Sequence, residues 1–187
     1  YERERVSHHE AGHALMGYLL KDCSHPVKVS IVPRGEAALG FSQQKNLDQK
    51  LHTEDIILSM IAVCLGGRSA EKVIYGNISN GAADDIEKIS TLIYNYSCSW
   101  GMNKKIGALN PNSMGQIGDN MNDAMFDECK NITDKIEEFV IETLTENKTH
   151  VVALAKSLLK NETITYEEIN KILPRKLENS LKIIKIS

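Results

Sequence analysis

His9 and His13 stand four residues apart around a glutamate, in the run His9-Glu10-Ala11-Gly12-His13. The residues around them, from about Glu2 to Leu20, have the character of a helix. On a helix, positions i and i+4 share a face one turn apart, so the two imidazoles are expected side by side. Such a pair can hold one metal ion. Glu10, next to His9, flanks the same place and can take a proton from water activated there. The bland account is two histidines on an ordinary helix. Gly12 weakens a helix, and with Ala11 and Ala14 it leaves room for another backbone to come close.

A catalytic zinc takes three protein ligands and leaves the fourth position open. The third ligand must come from elsewhere in the chain. The extended H-E-x-x-H-x-x-G-x-x-H layout would require a histidine where Leu19 stands, so that layout is excluded. His25 and His52 lie in predicted loops at unfamiliar spacings, and His8 points about 100° away from His9 on the helix. Glu71, Asp84 and Asp85 are the acidic candidates, and spacing alone does not choose among them. The four cysteines, Cys23, Cys64, Cys98 and Cys129, show no paired spacing. They are expected to be free thiols, with Cys64 and Cys98 in the core, and not a cysteine zinc site.

The 187 residues suit one domain with at most a small appendage. A composition of 42% apolar and 25% charged residues is that of a globular protein. The net charge of −3 gives no basic footprint for nucleic acid. No apolar run approaches the roughly 20 residues needed to span a bilayer, so this stretch is expected to be soluble by itself. It opens inside a helix, on Tyr1-Glu2-Arg3, as a piece of a longer protein would.

The elements that must position these residues follow in order. Val27 to Val32 alternates as a strand, Pro33-Arg34-Gly35 turns the chain, and Ala38 to Ser42 forms the returning strand. A strand edge there would hold an extended substrate, or simply cover the core. Gln43 to His52 is expected to be a polar loop. Thr53 begins a helix reaching about Ile74, closed by Gly76, with Gly66-Gly67 inside it marking a kink or a close approach. Asp84-Asp85 opens a helix to Ser99, which acidic residues suit by its dipole. Lys104 to Asp119 reads as loop. Asp123–Glu146 and Lys148–Leu159 are amphipathic helices, and Thr165 starts a last short one before Pro174. The predicted fold is mainly α, with a small β-hairpin or sheet beside the H-E-x-x-H helix. No strand–helix alternation supports a larger sheet. Residues 1–174 are expected to form the domain, divided into a metal-site half (1–110) and C-terminal helices (111–174), followed by a fraying tail (175–187).

Four ordered blocks resemble the peptidase domain of the FtsH family. They are His9-Glu10-Ala11-Gly12-His13-Ala14; Ile31-Val32-Pro33-Arg34-Gly35 with Gly40; Gly66-Gly67-Arg68-Ser69-Ala70-Glu71; and Ser79-Asn80-Gly81-Ala82-Ala83-Asp84-Asp85-Ile86, with Trp100-Gly101-Met102 and Gly107 beyond. The resemblance implies a zinc endopeptidase with Glu10 as general base and His9, His13 and Asp85 as ligands. Glu71 would orient a ligand from behind, and Leu39, Gly40 and Phe41 would form the substrate strand. It also implies a parent protein with an AAA+ ATPase module that uses ATP. That protein would be hexameric, anchored in a bacterial, mitochondrial or plastid membrane, and would act on unfolded or membrane polypeptides. Helical phase agrees on Asp85, which shares the side of Ile89 and Leu92, whereas Asp84 shares a side with Lys88. Asn80 and Lys72 depart from the family pattern without touching an implied ligand, and the loop 43–52 departs more. A helical assembly module with an inactive, structural zinc site, or a zinc hydrolase of non-peptide substrates, would use the same motif differently.

Overall fold

The computed structural model describes residues 1–32, 40–44, 51–115 and 118–186, with the backbone alone for Phe41–Gln44. Its elements are α1 (Glu2–Leu19), β1 (Pro26–Ser30), β2 (Phe41–Gln44), α2 (Glu54–Tyr75), α3 (Ala83–Tyr94), α4 (Asp119–Glu146), α5 (Lys148–Asn161), β3 (Thr163–Thr165), α6 (Tyr166–Ile172) and α7 (Arg175–Glu178). The fold is mainly α-helical with one small sheet, as predicted.

Helix α1 is the centre. Every residue from Ser7 to Leu19 is buried, including His8, His9, Glu10 and His13. A helix covered on all sides must satisfy its polar groups within the protein, because unpaired burial is costly. Helices α2 and α5 pack on α1, and α4 packs on α2. The apolar faces meet in one core that includes Leu15, Leu19, Ile57, Ile61, Ile136, Leu144 and Leu158.

The crossing of α1 and α2 is a backbone contact. A Cβ on Gly12 would lie 2.3 Å from the Gly66 carbonyl oxygen and 2.6 Å from the Ala70 Cβ. A Cβ on Gly66 would lie 2.8 Å from the Gly12 carbonyl oxygen. The glycines inside α2 therefore mark a close approach. Thr53 starts α2 in extended backbone, and Gly76, at φ 72°, closes it in the left-handed region that favours glycine.

The sheet has the order β2-β1-β3. Both neighbours run antiparallel to β1, with Val29 opposite Ser42 on one side and Ile164 on the other. Among the described residues, strand β2 lies at an edge. It begins at Phe41 and takes in Gln43 and Gln44, which the sequence reading assigned to a loop. Ala38 and the Pro33-Arg34-Gly35 turn lie outside the described residues. Strand β3 was not anticipated, since three residues carry too little periodicity. The predicted start at Thr165 is a capping box with Glu168.

Three further expectations are corrected. The helix opened by Asp84-Asp85 changes to π geometry over Asn95–Ser99. Helix α4 starts four residues earlier than predicted, at Asp119. The described segment after Pro174 is packed against the domain: Leu177 and Ile184 enter the core, and Lys182 N–H donates to the Leu19 carbonyl at 3.0 Å. Its partner is the distant end of α1, which local patterning could not reveal. The four cysteines are free.

Gly12→Ala is expected to lower stability by about 1–3 kcal/mol, because overpacking against backbone exceeds the gain in helix propensity of about 1 kcal/mol. Urea unfolding of the chelator-treated protein measures it. A stabilised variant would show that the crossing accepts a Cβ.

Candidate metal centre

Two elements bring three donors together. Helix α1 supplies His9 and His13, whose ring centroids are 4.8 Å apart. Helix α3 supplies Asp85 from its first turn. Asp85 Oδ2 lies 3.4 Å from His9 Nε2 and 3.2 Å from His13 Nε2. One ligand atom from each residue falls within 4.8 Å of the others.

The outer ring nitrogens decide which atoms face inward. His13 Nδ1 donates to the Val63 carbonyl at 2.7 Å, and a carbonyl only accepts. His9 Nδ1 donates to Glu71 Oε1 at 2.8 Å. In the neutral imidazoles both Nε2 lone pairs are then left for the shared space. Gly67 forms its floor: a Cβ there would lie 2.4 Å from His9 Nε2 and 2.5 Å from His13 Nε2.

These residues fit a tetrahedral cation of zinc's size. Bonds of about 2.0–2.1 Å give a tetrahedron with edges of about 3.3 Å. The two Asp85 contacts bracket that length, and both exceed a charge-assisted hydrogen bond of about 2.7–2.9 Å. The electrostatics agree. Burial would lower the His9 imidazole, but the Asp85 and Glu71 carboxylates outweigh it and raise it to about 9. Burial would raise Asp85, yet His13 and His9 hold it well below the usual carboxylate range. A place that favours positive charge this strongly suits a metal cation.

Glu10 stands beside the donors without joining them. Its Oε2 is buried and has no hydrogen-bond partner among the described residues. Burial pushes its carboxyl up, and His13 and His9 temper the shift. The Gly40 backbone presses on the same side chain, since a Cβ on Gly40 would lie 2.7 Å from Glu10 Oε1. Gly40 thus links the entrance of edge strand β2 to Glu10. Phe41 begins that strand opposite Ser30, and Leu39 lies outside the described residues.

Glu71 is 1% exposed and accepts from four donors. They are His9 Nδ1, Arg5 Nη1 at 2.7 Å, Ser79 N–H at 2.8 Å and Ser79 Oγ at 3.0 Å. Burial would raise its carboxyl, but His9, Arg5 and Ser79 bring it down to about 2.

The other candidates lie elsewhere. Asp84 is exposed. His8 Nδ1 meets the Tyr75 hydroxyl at 2.9 Å and the Glu4 carbonyl at 3.0 Å. His25 stacks on Tyr166, and His52 is exposed. Lys88 Nζ lies 3.8 Å from Asp85 Oδ1, since i+3 neighbours share a helix face. Arg5 and Ser79 escaped the sequence reading. Arg5 stands one turn before His9, so helical phase carried a signal for it.

The profile of peptidase family M41 matches residues 1–172. The chain is 36% identical over 185 residues to the ATP-dependent zinc metalloprotease FtsH of Rhodothermus marinus, an alignment covering 92% of this chain and 26% of that protein. It is 36% identical over 177 residues to the ATP-dependent zinc metalloprotease FTSH 10, mitochondrial, of Arabidopsis thaliana, covering 92% and 22%. The FtsH of Marinobacter nauticus is 34% identical over 186 residues, covering 92% and 29%. The chain therefore spans about a quarter of the length of these curated relatives. No described helix is long and apolar enough to cross a membrane.

Gly67→Ala is expected to abolish tight zinc uptake with little change in the stability of the chelated protein, because the new methyl meets movable ring ends and not backbone. Zinc stoichiometry after dialysis checks this, and a full complement would remove Gly67 as the floor of the centre.

Proposed function

The chain belongs to peptidase family M41, and from that premise we propose that it is the zinc endopeptidase domain of an ATP-dependent, membrane-anchored protease. One observation carries the reading: His9, His13 and Asp85 converge beside a buried Glu10 oxygen that has no partner among the described residues. His9 and His13 would hold the ion through Nε2, and Asp85 through Oδ2. When bound, zinc polarises a carbonyl and acidifies water. Glu10 then serves as general base, taking the proton of the attacking water and passing it to the leaving amine. Glu71 and the Val63 carbonyl keep the imidazoles turned inward, as partners of metal-bound histidines do. The stretch Leu39, Gly40 and Phe41, which leads into β2, receives the substrate as an added strand.

Unfolded or membrane polypeptides are the substrates in this reading. An AAA+ module of the parent protein spends ATP to deliver them, within a hexamer held at a bacterial, mitochondrial or plastid membrane. The names of the relatives support the ATP dependence, and the family resemblance supports the rest.

The test is cleavage of unfolded casein by the zinc-loaded protein. Glu10→Gln should keep zinc and fold while losing about 10²–10⁴ in rate, the usual effect of removing a general base. A zinc-loaded protein that cleaves nothing would favour the inactive assembly module instead. Full activity in Glu10→Gln would remove Glu10 from the mechanism.

A second expectation separates the adjacent aspartates. Asp85→Asn should lower zinc affinity and activity sharply, whereas Asp84→Asn should cost at most about 1 kcal/mol of stability at the helix start. Zinc content of the two purified variants decides, and the reverse pattern would remove Asp85 from the ligand set.

A further inference from the structure

We propose that Arg5 is a positioning residue for the metal centre, acting through Glu71 to fix both the His9 imidazole and the turn that carries Asp85. The inference rests on the zinc reading above. Its geometry is that of a clamp. Arg5 Nη1 donates to Glu71 Oε2 at 2.7 Å, while Nη2 donates to Asn77 Oδ1 at 2.6 Å and to the Tyr1 hydroxyl at 2.9 Å. The guanidinium lies 4.4 Å from the Tyr75 ring centroid. Its side chain is 12% exposed and that of Glu71 is 1% exposed, so the pair is largely withdrawn from water.

Glu71 connects this clamp to the metal donors. Its Oε1 accepts from His9 Nδ1 and Ser79 Oγ, and its Oε2 accepts from Arg5 and Ser79 N–H. Those four contacts fill the acceptor sites of one carboxylate. Asn77 and Ser79 lie in the connection from α2 to α3, which brings in Asp85. Arg5 therefore holds this connection directly at Asn77 and indirectly at Ser79.

Removing Arg5 leaves a buried carboxylate without its countercharge, which is strongly unfavourable. Glu71 would then turn towards water, which loosens its hold on His9. Lysine would keep the charge but not the planar fork that reaches several acceptors and stacks on Tyr75.

The test compares wild type with Arg5→Met, Arg5→Lys, Glu71→Gln and the double variant Arg5→Met/Glu71→Gln. Zinc affinity is read by competition with a chromophoric chelator, and melting of the metal-free protein is followed separately. Arg5→Met should weaken zinc binding about tenfold, at the low end for residues behind a ligand, and Arg5→Lys should recover part of that loss. In the Glu71→Gln background, Arg5→Met should add less than about twofold, because the two residues act in series. Zinc affinity unchanged in Arg5→Met, with or without a lower melting temperature, would overturn the proposal. Fully additive losses in the double variant would also overturn it. If Arg5→Met does not fold, Arg5→Lys replaces it in the cycle and wild-type affinity in that variant overturns the proposal. A wild-type protein that takes up no zinc would overturn the metal-centre reading itself, a distinguishable result.

Discussion

Two helices touch through their backbones where α1 crosses α2, and the metal centre depends on that approach. Gly12 and Gly66 leave no room for a Cβ at the crossing. One residue further along α2, Gly67 comes under the two imidazoles. The same approach brings Val63 and Glu71, on either side of the glycines, to the outer nitrogens of His13 and His9. A wider crossing would separate the imidazoles from both orienting acceptors. The helix propensity lost at these glycines, about 1 kcal/mol each relative to alanine, is offset by what the contact permits.

A second constraint is the burial of charge. Helix α1 carries three histidines and a glutamate into the protein interior, where little of their surface meets solvent. Such groups persist only when each is paired or meets a cation. His8 is satisfied by Tyr75 and Glu4, and Glu71 by its four donors. The inward nitrogens, Asp85 Oδ2 and Glu10 Oε2 form the remaining polar cluster. Stability is thereby arranged around the site, which retains the groups able to act on a bound ion and on water.

Much of this was legible in the sequence because it is periodic. The i, i+4 histidines, the apolar stripes of α2 and α4 and the acidic start of α3 each depend on neighbours within a turn or two. The family resemblance pointed to Asp85, and the geometry brings that residue to both imidazoles. What escaped depends on distant partners. Strand β3 exists because β1 offers it an edge, and Ile184 is buried because α1 and its surroundings accept it. Arg5 looks like a surface charge near the start of a helix until Glu71 arrives from α2.

The bridge between Leu20 and Lys182 has a consequence for the order in which the molecule can be completed. Helix α1 is translated before every other described element, yet its covers include α5 and the segment around Lys182. The newly made α1 therefore emerges with its apolar flanks and charged interior uncovered. Helix α2 follows soon after, but α5 and the segment around Lys182 arrive only after well over a hundred further residues, roughly ten seconds at the usual pace of synthesis. Through that interval the side of α1 that α5 covers stays open. The cover of α1 is complete only when the last strand and helices close over the first.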